Sequence, residues 1–333
     1  MKALVSQAVG GPETLVMADV PVPVPGPGQV AIAVETCAIN FPDALIIEDR
    51  YQFRPARPFA PGGEVAGTVS AVGPGVDRFK PGDRVIAMTV HGGLAECALA
   101  AVGMTFALPA DISWNDGASL LITYGTAIHA LRDRGRMQAG DTVLVLGAAG
   151  GVGLATVELA KAMGGRVIAG VSDEAKAAAA RNAGADEVVI YGRAPFDKQQ
   201  ARELTDAFKA ACGPDGAQIV VDPVGGDYSE AALRAIGWEG RFLVVGFPAG
   251  IAKLPLNLAL LKSCDICGVF LGGALEREPD RFIAQVDDLY GFLRSGAIRP
   301  HIAEVLPLVR GAEGIALLAG RGAIGKVIVR IGD

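Results

Sequence analysis

The chain contains no uninterrupted apolar run of the roughly eighteen residues that a membrane-spanning helix needs, although 51% of its 333 residues are hydrophobic. Cysteine is scarce as well. Five of them, an odd number thinly spread, suit a reducing compartment and argue against a disulfide scaffold. No basic run stands out and the net charge is −6, so the sequence carries no electrostatic footprint for nucleic acid or an anionic membrane. The opening "MKALVSQAVGGPE" is broken by polar residues and glycines and lacks the apolar centre of a secretory signal. Internal repeats and low-complexity linkers are also missing. These absences lead us to expect a soluble cytoplasmic protein whose partner is a small molecule.

What is present is glycine and proline, 45 and 20 residues without a period, as in a turn-rich, β-containing enzyme. The length suits two domains. Up to about residue 122, "QVAIAVETCAI", "EVAGTVSAVG" and "DRVIAM" read as short strands punctuated by "PGPGQ", "GPGVDRFKPGD" and "VHGGL", the pattern of a compact β-rich or barrel-like domain. The rhythm then changes. "DTVLVLG", "RVIAGV", "EVVIY", "AQIVVDPVG", "GRFLVVGF" and "CDICGVFLG" are continuous apolar strands. Helical stretches alternate with them, including "SDEAKAAAARNAG" with Ser172 as its expected N-cap and helices around 197–211 and 228–236. Such alternation predicts a parallel sheet covered on both faces. From about 273 a helix near 278–295 and the strand-like "HIAEVLPL" and "GKVIVRI" are expected to return to the first domain. The expected division is therefore 1–122 together with 273–333, and 123–272.

Within "VLGAAGGVGLA", Gly147, Gly150 and Gly153 are spaced three apart, and Ala148 stands where the first glycine of the common dinucleotide fingerprint falls. A glycine pattern alone also describes a packing turn. Here a strand precedes it, a helix follows it and a second strand comes about fifteen residues on, which is the context a pyrophosphate-binding turn requires. Gly147, Ala149, Gly150, Gly151, Val152 and Gly153 are the candidate cradle. An NAD site places a carboxylate at the tip of the second strand; "RVIAGV" ends instead in Val171 and Ser172, with Asp173 read as opening the next helix and Lys176 four residues beyond Ser172. That arrangement favours NADP.

Together these pieces resemble the medium-chain dehydrogenase/reductase superfamily over essentially the whole chain, most specifically in "GVDRFKPGDRV", "GAAGGVGLA", "NAGADEVV", "VVDPVGG" and "GRGAIGKVIV". The resemblance implies an α/β fold with an N-terminal GroES-like catalytic domain and a doubly wound Rossmann cofactor domain. It also poses a question of metal. The positions matching the zinc ligands of the zinc-dependent branch hold Asn40, Gly63 in "GGE" and a site near Tyr124, and the four-cysteine lobe is absent. "CDIC", Cys264 to Cys267, stands alone in a strand; His91 sits in a loop whose "GG-LAE" setting resembles the family's cleft-lining element, His129 and His301 show no partners, and none of the three is given a catalytic role. No metal is expected.

The zinc-free branch includes NADPH:quinone oxidoreductases and enoyl-thioester reductases, and the resemblance carries their residues over. Asn40 and Asp43 match cleft residues; Tyr51 matches a cleft tyrosine that donates a proton in the enoyl reductases; Leu45 replaces a neighbouring tyrosine; Thr126 matches a threonine beside the nicotinamide. Lys176, Tyr191 and Arg321 match residues that hold the NADP 2′-phosphate, together with Ser172, while Gly246, Phe247, Phe270 and Leu271 fall in segments around the nicotinamide. The implied activity is NADPH-dependent, metal-free hydride delivery to a quinone, with Tyr51 and Asn40 polarising the acceptor oxygen and the chain acting as a homodimer joined at cofactor-domain sheet edges. The competing readings are an enoyl-CoA or alkenal reductase, with Arg54 and Arg57 near the tyrosine available to a CoA phosphate, and a nucleotide-binding protein without turnover.

Overall fold

The computed structural model describes residues 1–332 and resolves into two units. The first comprises Met1–Ile122, Pro279–Val286 and the chain from Pro300 on; the second comprises Thr123–Glu278 and Asp287–Arg299. The sequence-based division differs from this at its C-terminal boundary, because the helix Pro279–Ser295 is shared. Its first half packs Phe282 edge-on against Phe106 of the first unit, ring centres 5.4 Å apart. In the second unit, Asp288 pairs with Arg132 and the amide of Arg299 donates to Glu158 at 3.0 Å.

In chain order the strands of the first unit begin β1 Lys2–Ser6, β2 Leu15–Asp19, β3 Gln29–Ile39, β4 Glu64–Val72, β5 Arg84–Met88, β6 Cys97–Ala101 and β7 Thr105–Ala107. The second unit supplies β8 Thr142–Val145, β9 Arg166–Val171, β10 Glu187–Ile190, β11 Ala217–Asp222, β12 Ile236–Val244 and β13 Asp265–Gly268; β14 Ile302–Pro307 and β15 Lys326–Arg330 return to the first. β1 and β2 form a hairpin-like pair, and the main sheet of the first unit runs β14-β15-β3-β4-β5-β7 with β6 on β3. β3 is the axis of that sheet, pairing with β4, β6 and β15. Its Val30, Ile32, Cys37 and Ile39 enter a core shared with Val65, Val85, Leu94, Val327 and Val329.

The second unit has the order β10-β9-β8-β11-β12-β13, all pairs parallel. Counted within the unit this is 3-2-1-4-5-6, the doubly wound Rossmann order, whose winding reverses between β8 and β11. β8 "TVLV" and β11 "AQIVVD" are apolar along nearly their whole length because both faces are covered. The helix after β9 starts one residue later than expected. Asp173, not Ser172, is its N-cap and accepts the Lys176 amide at 3.0 Å, while Ser172 donates its hydroxyl to Asp173. A carboxylate accepting an amide at a helix start is stabilised by the helix dipole as well. No helix of the described residues is long and apolar enough to cross a membrane.

Candidate active site

At the end of β3 the chain turns into the short helix Phe41–Ile47, with Asn40 at its cap and Pro42 in its first turn. Asp43 folds back: one carboxylate oxygen accepts the Asn40 amide at 2.7 Å and the other accepts the Gly62 amide at 3.0 Å. The side chain is 2% exposed, and this burial pushes its pKa up to about 6, opposed by the two amides and by the charge of Lys326. Behind it lies a second buried carboxylate. Glu64 opens β4 and has no exposed surface; its Oε2 accepts Asn40 Nδ2 at 2.9 Å and Lys326 Nζ at 3.0 Å, and its Oε1 accepts the Ile122 amide at 2.9 Å. Lys326 Nζ also donates to Asn40 Oδ1 at 2.7 Å.

The same inventory accounts for the Asn40 amide. Its amide nitrogen has two hydrogens; one goes to the Ala38 carbonyl at 3.2 Å and the other to Glu64. Both amide hydrogens of Asn40 are thus taken up within the chain. Tyr51 differs. It is half-buried with its ring against the first core, and its hydroxyl makes no hydrogen bond among the described residues. Burial, then the charge of Asp43, raises its pKa. Nearby in sequence, Phe53 stacks on His91 with ring centres 6.0 Å apart, and Phe59 meets the same imidazole edge-on at 5.8 Å. Burial lowers the pKa of His91, favouring the neutral ring. Arg57 is committed to Asp49, to the Ile47 carbonyl at 2.8 Å and to Ser6 at 3.2 Å.

In the second unit, β8 ends in the glycine turn. Gly147 takes a left-handed φ of +57°, the Gly150 amide closes the turn on the Gly147 carbonyl at 3.0 Å, and the helix Gly151–Ala162 begins. Its first helical bond runs from the Leu154 amide to Gly150, so the amides of Gly151, Val152 and Gly153 precede the ladder and are offered to an anion. A Cβ on Gly153 would lie 2.2 Å from the Gly147 carbonyl oxygen and 2.7 Å from Ala148 Cα. Only glycine lets strand and helix approach this closely.

Tyr191 holds the turn from beneath. Its hydroxyl donates to the Gly170 carbonyl at 3.1 Å and accepts the Gly147 amide at 3.0 Å. The residue is 8% exposed, and burial raises the pKa of the phenol. Its single O–H is given to the loop. At the tip of β9, Lys176 Nζ lies 2.9 Å from Ser172 Oγ, and both groups also contact the Asp173 carboxylate, the ammonium at 3.5 Å and the hydroxyl at 2.9 Å. Gly246 and the half-exposed Phe247 follow β12, with the Gly246 amide on the Asp222 carbonyl at 3.3 Å. Phe270 is exposed and Leu271 buried at the start of the helix Leu271–Arg277. Arg321 belongs to the first unit, in a left-handed turn with φ +58° after the helix Gly311–Ala319. Thr126 is buried in a turn of α-helix flanked by π-helical segments, Leu120–Tyr124 and His129–Arg134; such segments recur at functional sites.

Three structural residues escaped the sequence reading. Lys326 read only as part of a strand, because its partners are 286 and 262 residues away. Glu64 was visible only as the survivor of "GGE". Asp222 in "VVDPVGG" anchors the turn after β11 by accepting the Val224 and Gly225 amides at 2.9 and 2.8 Å, with Ser229 on its other oxygen. Among the described residues no group of three or more His, Cys, Asp or Glu is arranged to hold a metal ion.

Residues 26–118 match the family model described as the alcohol dehydrogenase GroES-like domain, and residues 151–288 match that described as zinc-binding dehydrogenase. The chain is 36% identical over 319 residues to quinone oxidoreductase-like protein 2 of Bos taurus, covering 95% of this chain and 89% of the relative. It is 35% identical to the quinone oxidoreductase of Rattus norvegicus over 333 residues, 99% of this chain and 97% of the relative. Among solved structures it superimposes on mycobacterial Rv1454c complexed with NADPH at a TM-score of 0.91 and 31% identity, covering 99% and 100% of the two chains. The Escherichia coli quinone oxidoreductase complexed with NADPH gives 0.90 at 26% identity, with the same coverage.

Proposed function

This chain belongs to the quinone oxidoreductase branch of the medium-chain dehydrogenase/reductase superfamily and is an oxidoreductase, and from that premise we propose that it oxidises NADPH and reduces a quinone or similar electrophilic acceptor without a metal ion. The observation that carries the cofactor is the glycine turn at the reversal point of the parallel sheet, with open amides at Gly151, Val152 and Gly153. The Ser172–Lys176 pair at the tip of β9 favours a 2′-phosphate. The relatives solved with NADPH support the same choice. When bound, NADPH supplies the hydride; the chain supplies binding, orientation and electrostatics.

Tyr51 is the residue we assign to the acceptor, because its phenol alone among Asn40, Asp43 and Tyr51 keeps a donor uncommitted. Its raised pKa keeps the O–H protonated at neutral pH. Metal independence is supported by donor chemistry: Asn40 is already bonded through both ends of its amide, and Gly63 has no side chain. The commitment of Arg57 to Asp49, Ile47 and Ser6 removes one candidate anchor for a CoA phosphate, favouring the quinone over the enoyl thioester. We also assign a homodimer formed along the β13 edge of the six-stranded sheet, where Ile266 is exposed, as are Leu256, Leu260 and Leu261 in the segment preceding that strand.

NADPH consumption with 1,2-naphthoquinone and with crotonyl-CoA, before and after exhaustive chelation, tests the assignment. Turnover of the quinone at an unchanged rate after chelation is expected. Preference for crotonyl-CoA would move the protein to the enoyl reductases, loss of rate with zinc removal would end the metal-free assignment, and tight NADPH binding without oxidation of either acceptor would leave a nucleotide-binding protein.

A further inference from the structure

The buried ammonium of Lys326 has no place in the chemistry above, yet it lies at the centre of the polar network behind Tyr51 and Asp43. We propose, resting on the reductase reading, that Lys326 is a positioning residue: shared between Asn40 Oδ1 and Glu64 Oε2, it locks the Asn40 amide and keeps Glu64 in place as acceptor for the Ile122 amide. The lysine side chain is 4% exposed and that of Glu64 not at all. Withdrawing such a pair from water is costly before their attraction offsets it, and a pair of apolar residues would fill the same space at lower cost.

The geometry says what this pair does. Three donors converge on Glu64: Asn40 Nδ2, Lys326 Nζ and the Ile122 amide. Two of them meet at Oε2 and the third at Oε1, so both oxygens of the side chain are occupied. The Ile122 amide lies in the π-helical segment Leu120–Tyr124, where the regular helical ladder is interrupted, and Thr126 follows four residues on. On its other side, Asn40 is the residue whose amide Asp43 grips at the start of the helix Phe41–Ile47. One cation thus fixes two chain segments, the β3–helix junction and the turn leading to Thr126. Lys326 reaches both because β15 pairs antiparallel with β3, Val327 opposite Ile39. Its charge also acts on Asp43, where it opposes the rise caused by burial; Glu64, Cys37 and Tyr51 are the other titratable groups coupled to these side chains. Losing the ammonium therefore moves Asp43 further upward.

The test compares wild type with Lys326→Arg, Lys326→Met, Glu64→Gln and the double variant Lys326→Met/Glu64→Gln. We measure kcat and KM with 1,2-naphthoquinone, NADPH affinity by fluorescence, melting temperature, and the side-chain amide signals of the four asparagines in protein labelled with 15N at asparagine. Lys326→Met is expected to lower kcat by about 10- to 100-fold, to shift the Asn40 amide signals and to raise the acidic limb of the pH profile, with NADPH affinity unchanged. Lys326→Arg restores most of kcat. The double variant, which removes the uncompensated carboxylate, regains the melting temperature and stays slow. Recovery of kcat together with stability in the double variant, or a folded Lys326→Met enzyme with wild-type kcat, overturns the proposal. A wild type that oxidises no NADPH sinks the reductase reading and this inference with it, whereas a working wild type matched by Lys326→Met sinks the inference alone.

Discussion

Tyr51 and Asp43 stand eight residues apart in sequence and are treated oppositely by the fold. The tyrosine keeps its hydroxyl unbonded, so replacing it by phenylalanine removes a proton donor and little packing. Tyr51→Phe is expected to lower kcat with the quinone by about 100-fold while NADPH affinity stays put; steady-state kinetics beside a fluorescence titration read both. Asp43 is spent on two backbone amides in a buried site. Its carboxyl binds a proton more tightly folded, with a pKa of about 6, than in the unfolded chain, where the ordinary value is 3.8. Stability linked to this group is therefore present below pH 4 and is lost as pH rises to about 6. In denaturant titrations the stability advantage of wild type over Asp43→Asn should shrink by roughly 2 kcal/mol between pH 4 and 6.5. Parallel curves for the two proteins would show that Asp43 titrates as an ordinary carboxylate.

At the scale of the element, the strand–turn–helix of the glycine motif separates folding from binding within four residues. The Cβ of Gly153→Ala would be driven into the Gly147 carbonyl and the Ala148 backbone, groups that cannot step aside. That variant should lose about 2–4 kcal/mol of stability. At Gly150 an added Cβ would meet only the Gly147 carbonyl oxygen, at 3.4 Å. Gly150→Ala should melt near wild type and bind NADPH about tenfold more weakly, because the residue caps the helix immediately before the open amides. Equal loss of stability in both variants would refute the separation. The motif was legible in sequence because its spacing is local. Its support was not: Tyr191 bonds Gly147 across 44 residues and Gly170 across 21, and a tyrosine closing a strand looks the same whether it faces a ligand or a loop. The cap of the helix after β9 was misplaced by one residue for a related reason, since Ser172 and Asp173 are both good caps and only the backbone geometry chooses between them.

For the whole molecule, the exposed edge at β13 is the feature with consequence. An unpaired edge strand bordered by apolar side chains invites another strand, and a two-fold axis would pair it with its own copy. Light scattering at micromolar concentration is expected to give the dimer mass for wild type and the monomer mass for Ile266→Lys combined with Leu260→Glu, without change in the fold. A monomeric wild type would remove the assignment. The two-unit plan was readable from the change of rhythm near residue 122, where punctuated short strands give way to apolar strands alternating with helices. The C-terminal boundary was not readable, because Pro279–Ser295 is one unbroken helix whose two halves belong to different units.

Sequence by itself determined the fold class, the strands β3, β4, β5, β8 and β9 and the position of the dinucleotide turn, because periodicity and glycine spacing express backbone physics within a few residues. Tertiary structure alone decided which partners Asn40, Tyr191 and Lys326 bond. Whether a polar side chain faces a ligand or its own backbone depends on which partners distant segments bring within about 3 Å, and no local pattern records that distance.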